Sequence, residues 1–144
     1  MGVTTWTAVF TLPSIRDRPE DVAASINSLI GGELQRRLAP LLRSQGWGFA
    51  SPTPEDHGWH SEAQVSDDSK ALIVPLVTCP ELDEATPDGG ALDDRWRVVI
   101  GMDLGLMPGT KARRLMMFRR LAADLDAACR TLGAQDIDWE VGGP

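Results

Sequence analysis

Tyrosine is absent from this chain of 144 residues, and cysteine occurs only twice. Cys79 and Cys129 stand alone, without a C-x-x-C pair or a histidine at zinc-finger spacing, so the sequence predicts neither a zinc ribbon nor a disulfide framework. No apolar run approaches the roughly 18 residues that a membrane-spanning helix needs, and no basic, apolar signal peptide opens the chain. We therefore expect a cytoplasmic protein with no membrane contact and with two free, buried thiols.

Positive charge is also scarce, because 14 Lys and Arg residues stand against 21 Asp and Glu residues, which gives a formal net charge of −7. This surplus of negative charge argues against direct binding to nucleic acid phosphates. The hydrophobic fraction of 42% is too high for a disordered protein. The length fits one domain, and we expect residues 1–144 to form a single α+β domain.

The charges are distributed unevenly along the chain. Residues 51–94 contain eleven acids and one base, Lys70, whereas residues 111–130 contain six bases and two acids. The simplest interpretation places the acids in exposed loops and the bases on one face of a helix. The alternative is an acidic side of the molecule that steers it toward a basic partner.

Alternating apolar residues predict a series of strands. In residues 5–12, for example, Trp6, Ala8 and Phe10 fall on one face and threonines on the other. A long acidic loop is predicted between Pro80 and Asp94, because that segment has no periodicity. Further strands are predicted at residues 59–66, 71–79, 95–104 and 137–141.

Two regions show helical spacing of apolar residues. The first opens at Asp17, where Glu20 completes a capping box. Gly31-Gly32 interrupts it and Pro40 argues against a straight helix through Ser44, so we expect a kinked helix or two consecutive helices that end at Gly46. The second extends from Thr110 to a stop at Gly133. Packing one face of each helix on one face of the sheet gives an α+β two-layer sandwich, with a mainly antiparallel sheet of four to six strands. We expect a ferredoxin-like arrangement, or a variant of it, with an added central strand.

The densest polar cluster in the sequence extends from Glu55 to Glu62 and contains both histidines. A metal site would need three or four converging ligands, whereas His57 and His60 point to opposite faces of an extended strand unless the chain bends at Gly58. No nucleophile elbow or phosphate-binding loop is present, and both thiols lie on apolar stripes. We therefore assign no catalytic residue, metal ligand or cofactor.

Two surfaces could bind a partner. Trp47 and Trp59, each flanked by glycine beside acidic segments, are candidate interface anchors. The outward face of the sheet is the other candidate, through which the protein could form a homodimer. Its predicted members are Thr5, Thr7, Val9, Thr11, His60, Glu62, Gln64, Arg97, Val99, Asp138 and Glu140.

The order of segments carries a family resemblance. The stretch Pro54-Glu55-Asp56-His57-Gly58-Trp59 is followed by a hairpin, by Arg95-Trp96, by a long helix and by Ile137-Asp138-Trp139-Glu140. In this order the chain resembles small bacterial α+β proteins, uncharacterised or of the immunity type, that are encoded beside toxins or mobile elements. The resemblance assigns no functional residue.

The leading hypothesis is a small acidic protein-binding module and not an enzyme. It would be an inhibitor of the toxin-immunity or phage counter-defence type that docks on a protein with a basic surface. The first alternative is a ligand-binding domain or enzyme around His57, His60 and Glu62, and the second is a homo-oligomeric structural protein. The predicted partner-binding residues are Glu55, Asp56, Trp59, His60, Glu62, Glu81, Asp83, Glu84 and Asp88.

Overall fold

The computed structural model describes residues 3–13, 15–25, 30–83, 85 and 91–142. Its elements, in chain order, are β1 (Thr4–Thr11), α1 (Pro19–Ala24), α2 (Gly32–Ser44), β2 (Thr53–Glu55), β3 (Gly58–Asp67), β4 (Lys70–Leu82), β5 (Ala91–Met102), α3 (Pro108–Leu132) and β6 (Gln135–Val141). The α+β class predicted from sequence is therefore confirmed. Two of the predicted site residues, Glu84 and Asp88, lie outside the described residues.

The six strands form one antiparallel sheet in the order β2-β3-β4-β5-β1-β6. Within it, β4-β5-β1-β6 has the split βαβ pattern, because β5 lies between β1 and β4 and β1 lies between β5 and β6. The predicted added central strand is wrong. The additional strands β2 and β3 instead extend the sheet beyond β4, since β3 forms a tight hairpin with β4.

The hydrophobic core lies between one face of the sheet and the helices α2 and α3. Trp6, Ala8 and Phe10 on β1 are buried, as the alternation in the sequence predicts. Helix α3 ends where predicted, with Gly133 in the left-handed conformation (φ 105°). The fully buried leucine and phenylalanine side chains of the two helices are Leu34, Leu38 and Leu42 in α2 and Phe118, Leu121 and Leu125 in α3.

Asp17 caps a different helix from the one predicted. The cap of α1 is Arg18, which makes no side-chain capping bond, so the predicted capping box is wrong. The Asp17 carboxylate instead accepts hydrogen bonds from the backbone N–H groups of Gly31 (3.1 Å), Gly32 (3.3 Å) and Glu33 (3.3 Å). It thereby satisfies the first free donors of α2, where a negative charge is favoured by the helix dipole.

A buried polar cluster fixes the start of α2 against the sheet. The Thr78 hydroxyl donates to the carbonyl oxygen of Gly31 (2.8 Å), and the Gln35 amide donates to the carbonyl oxygen of Trp59 (2.8 Å) and to Thr78 (3.1 Å). Buried polar groups are stabilising only when they are bonded in this way. The cluster therefore sets the position of α2 over β3 and β4.

Strands β4 and β5 are longer than the sequence predicts. Their pairing continues to Leu82 opposite Ala91, with an irregularity between Pro80 and Leu82. The predicted fifteen-residue loop from Pro80 to Asp94 is therefore wrong, and its two ends belong to a long hairpin. Pairing with the neighbouring strand overrides the low strand propensity of the acidic residues there.

Candidate functional site

The side of the sheet opposite the core presents residues from five strands in regular rows. One row is continuous through the pairs His60–Val77, Val77–Val99, Val99–Thr7 and Thr7–Glu140. A second row passes through Cys79, Arg97, Val9 and Asp138. The residues predicted to face outward thus lie on one surface, which we call the outer face.

The outer face has an apolar centre between charged margins. Val9 is 5% exposed, and Val77 and Val99 are half-buried, although α2 and α3 pack on the opposite side of the sheet. At the margins, the side chains of Glu62 and Glu140 are 52% and 61% exposed. An apolar patch with a polar rim is the usual anatomy of a protein-binding surface.

A groove of about 660 Å³ opens at one end of the outer face. Its charged lining consists of Glu81 near the end of β4, Asp83 just after β4, Arg97 from β5 and Glu140 from β6. The partly buried thiol of Cys79 also contributes to the wall. The groove brings together two of the predicted partner-binding residues, Glu81 and Asp83, with two charged residues from distant parts of the chain.

The two arginines of the outer face are each held by a carboxylate of another strand: Glu81 on the adjacent β4 for Arg95, and Glu140 on β6, across β1, for Arg97. Arg95 contacts Glu81 at 3.1 Å and donates to the Thr11 hydroxyl at 3.0 Å, while Arg97 contacts Glu140 at 3.1 Å. Among the residues that the structure describes, the face and its groove carry five carboxylates against two guanidinium groups, so the net charge there is negative. The five carboxylates are those of Glu62, Glu81, Asp83, Asp138 and Glu140.

The histidines lie near each other at the β2–β3 turn, at the margin of the sheet. The bend at Gly58 (φ 142°) brings the His57 and His60 rings to a centroid distance of 6.4 Å. His57 contacts Asp56 (3.2 Å), and His60 lies 3.8 Å from Glu62. Among the described residues, no group of three or more His, Cys, Asp or Glu side chains could hold a metal ion. Neither histidine lines the groove.

The prediction that Trp59 is a surface anchor is wrong. Trp59 points toward the helices, is 2% exposed and lies under the Arg36 guanidinium, 5.8 Å from the ring centroid. Trp47 is likewise 2% exposed, and its indole N–H donates to Asp124 at 2.9 Å. The flanking glycines suggested exposure, but side chains from distant helices cover both rings.

Asp67, which belongs to the acidic segment, is also not at the surface. Its side chain is 2% exposed and accepts hydrogen bonds from Arg113 (2.5 and 3.2 Å) and Arg114 (2.6 Å) in α3. These bonds hold the pKa of Asp67 at about 2, well below its usual value, by stabilising the ionised carboxylate. Part of the negative segment is therefore neutralised by the basic helix.

Acid should destabilise the protein partly through Asp67. Because its pKa is lowered in the folded state, the ionised group stabilises the fold above the unfolded pKa of about 4, and this stabilisation is lost as the pH falls toward about 2. We expect Asp67→Asn to lower the urea midpoint at neutral pH and the gap to wild type to close by more than half at about pH 2. Urea titrations at several pH values measure this. Asp138→Asn, at an exposed position, is the control, and a gap independent of pH would contradict the assignment.

Both cysteines are free thiols that resist ionisation. Burial raises the pKa of Cys129 to about 12 and also raises the pKa of Cys79. Cys129 lies on the core side of α3, as predicted, whereas Cys79 is only partly buried because it faces the groove. Both side chains are therefore neutral thiols at physiological pH.

The groove also contains residues that were not among the predicted partner-binding set. Arg97 and Glu140 were expected on the outward face, but nothing in the sequence placed them beside Glu81 and Asp83. That neighbourhood depends on the strand order β4-β5-β1-β6, in which residues far apart in sequence become adjacent. The alternation of residues 95–104 and 137–141 was the available signal, since it gave the correct face for each.

No helix in the described part of the chain is both long enough and apolar enough to cross a membrane. Comparisons with protein-family models, with curated proteins and with solved structures found no match to this chain.

Proposed function

We propose that the chain is a protein-binding module that docks the outer face of its sheet on a basic surface of another protein. The observation that carries the proposal is the outer face itself, an apolar centre with five carboxylates and two arginines around it. The half-buried Val77 and Val99 supply apolar surface that is removed from water on binding. The exposed carboxylates supply attraction and orientation, which affect the association rate and specificity most strongly.

A basic partner fits this face better than a second copy of the chain. In a homodimer formed through the outer face, ten carboxylates and four guanidinium groups would meet in one interface. Like charges brought together in a desolvated interface are costly, so this dimer should form only at high ionic strength. Light scattering at low and high salt measures self-association, and a stable dimer at low salt would favour the homo-oligomeric alternative.

The resemblance to immunity-type proteins, stated from the sequence, suggests the kind of partner. An inhibitor that covers a basic functional groove needs an acidic, largely rigid surface, because rigid surfaces lose little conformational entropy on binding. The outer face is built on strands, and its arginines are fixed by ion pairs at 3.1 Å. We therefore propose inhibition of a basic protein by direct coverage of its surface.

The proposal is tested with a synthetic amphipathic helical peptide that has one leucine stripe flanked by lysines. We expect Glu62→Gln/Asp138→Asn to weaken binding about fivefold at low salt, since two exposed charge contacts contribute about 0.5 kcal/mol each. Neither substitution breaks the ion pairs of Arg95 or Arg97. Glu20→Gln/Asp68→Asn removes the same charge away from the outer face and is the matched control. Equal affinities of the two double variants, or binding that is insensitive to salt, would refute the proposal.

A further inference from the structure

Strand β6 is an open edge of the sheet. Among the described strands it pairs only with β1, so one side of its backbone has no strand partner. The opposite edge of the sheet ends in the three-residue β2. An open edge of seven residues is long enough to accept another extended chain.

A cleft of about 340 Å³ lies between this edge and helix α3. One wall is formed by Trp139 and Val141 of β6, the other by Ala122 and Ala123 of α3, and Trp6 and Asp126 complete it. Val141 is 65% exposed although it belongs to a strand. The volume is at the lower end of the range for small-molecule pockets, which suits a single large side chain better than a cofactor.

One polar group in the walls, the Asp126 carboxylate, is already oriented. The Asp126 carboxylate is held by the Trp139 indole N–H (3.0 Å) and by Arg130 (2.6 Å). Trp6 is nine-tenths buried, and its indole N–H is one of two buried side-chain groups in the described chain without a hydrogen-bond partner. The cleft therefore has a fixed aromatic wall.

The two faces of β6 determine which side chains a paired strand needs at alternate positions. In an added strand, alternate side chains point to the helix side, where the cleft lies, and to the outer side, where Asp138 and Glu140 lie. We infer that β6 binds an extended basic segment of a partner protein by strand addition. A large apolar side chain of that segment enters the cleft, and lysine or arginine on either side of it contacts the carboxylates of β6.

Charge distinguishes this occupant from a second copy of the chain. Acidic residues on an edge strand prevent pairing with an identical edge, because the carboxylates repel each other. The same residues attract a strand with lysines at alternate positions. The inference rests on the proposed function only in taking the partner to be basic.

The test uses a six-residue peptide, acetyl-Thr-Lys-Leu-Lys-Val-Lys-amide, and ¹⁵N-labelled full-length protein. We expect shifts in the backbone resonances of β6 and in the indole N–H resonance of Trp6. A peptide N-methylated at every residue cannot donate backbone hydrogen bonds to β6 from either edge and should bind at least about tenfold more weakly, as should a peptide of the same composition without alternation. Equal affinity for the methylated and unmethylated peptides would overturn the inference.

A protein variant tests the cleft separately. Ala123→Leu fills the cleft from an exposed helix position and should reduce peptide affinity at least about tenfold, whereas Ala127→Leu, one turn away and outside the cleft, should not. If Ala123→Leu has no effect while Glu62→Gln/Asp138→Asn still weakens the helical peptide, the strand-addition site is wrong and the proposed function stands. If strand addition is observed but that double variant matches its control, the proposed function fails instead. If the wild-type protein forms a dimer and Ala123→Leu dissociates it, the occupant of β6 is a second copy of this chain and not a partner protein.

Discussion

Replacing Gly31 with alanine should lower the free energy of unfolding by about 3 kcal/mol or more. Gly31 has φ 142°, a conformation that residues with a side chain rarely adopt. A Cβ atom there would lie 2.5 Å from the carbonyl oxygen of Thr78 and 2.9 Å from its carbonyl carbon. Both atoms belong to the backbone of β4, so neither can move aside without disturbing the sheet.

Gly48→Ala is the matched control for this substitution. A Cβ at Gly48 meets no atom within 4 Å, so we expect a change within about 0.5 kcal/mol of wild type. Urea titration followed by tryptophan fluorescence compares the two variants. Equal stability of Gly31→Ala and Gly48→Ala would contradict the close contact between the start of α2 and β4.

Truncating Phe118 should have an effect of similar size, about 3–5 kcal/mol for Phe118→Ala. Phe118 is completely buried in α3, and its ring lies 4.5 Å, between centroids, from the ring of Trp6. The substitution would leave a cavity beneath Trp6, and Trp6 is one wall of the cleft beside β6. We therefore expect lost stability together with weaker binding of the alternating peptide.

Met116→Ala, on the same helix, is the control because Met116 is 71% exposed and should change stability by less than about 0.5 kcal/mol. If Phe118→Ala fails to fold, Phe118→Leu is used instead because it preserves much of the side-chain volume. We then expect smaller losses of stability and of peptide binding. Thermal or urea unfolding measures stability, and the indole resonance of Trp6 reports on its ring. A Phe118→Ala variant as stable as Met116→Ala would contradict the packing of α3 on β1.

Alternation and helical spacing predicted the two helical regions and every strand except β2, in the correct order. They identified the inner faces of β1 and β5, the core stripe of α3 and its stop at Gly133. These predictions succeeded because each pattern depends only on neighbouring residues within one element. The sequence also predicted the face on which Arg97 and Glu140 lie.

Most of the errors concern contacts between distant segments. Asp17 and Glu20 fit a local capping box, but the Asp17 carboxylate bonds to backbone N–H groups fourteen to sixteen residues away. Trp59 seemed exposed beside Gly58, yet α2 covers it through Arg36. Asp67 belongs to the acidic segment of the sequence, yet its carboxylate is enclosed by Arg113 and Arg114 of α3. A single sequence does not indicate which distant element will cover a residue.

The position of β1 between β5 and β6 has a consequence for how the protein reaches this fold. Strand β1 finds both of its partners only after residues 91–102 and 135–141 have been synthesised. A topology with such a high contact order folds slowly, because long loops must close before the central pairing forms. Until then both edges of β1 are unpaired and open to other chains, as in other aggregation-prone folding intermediates.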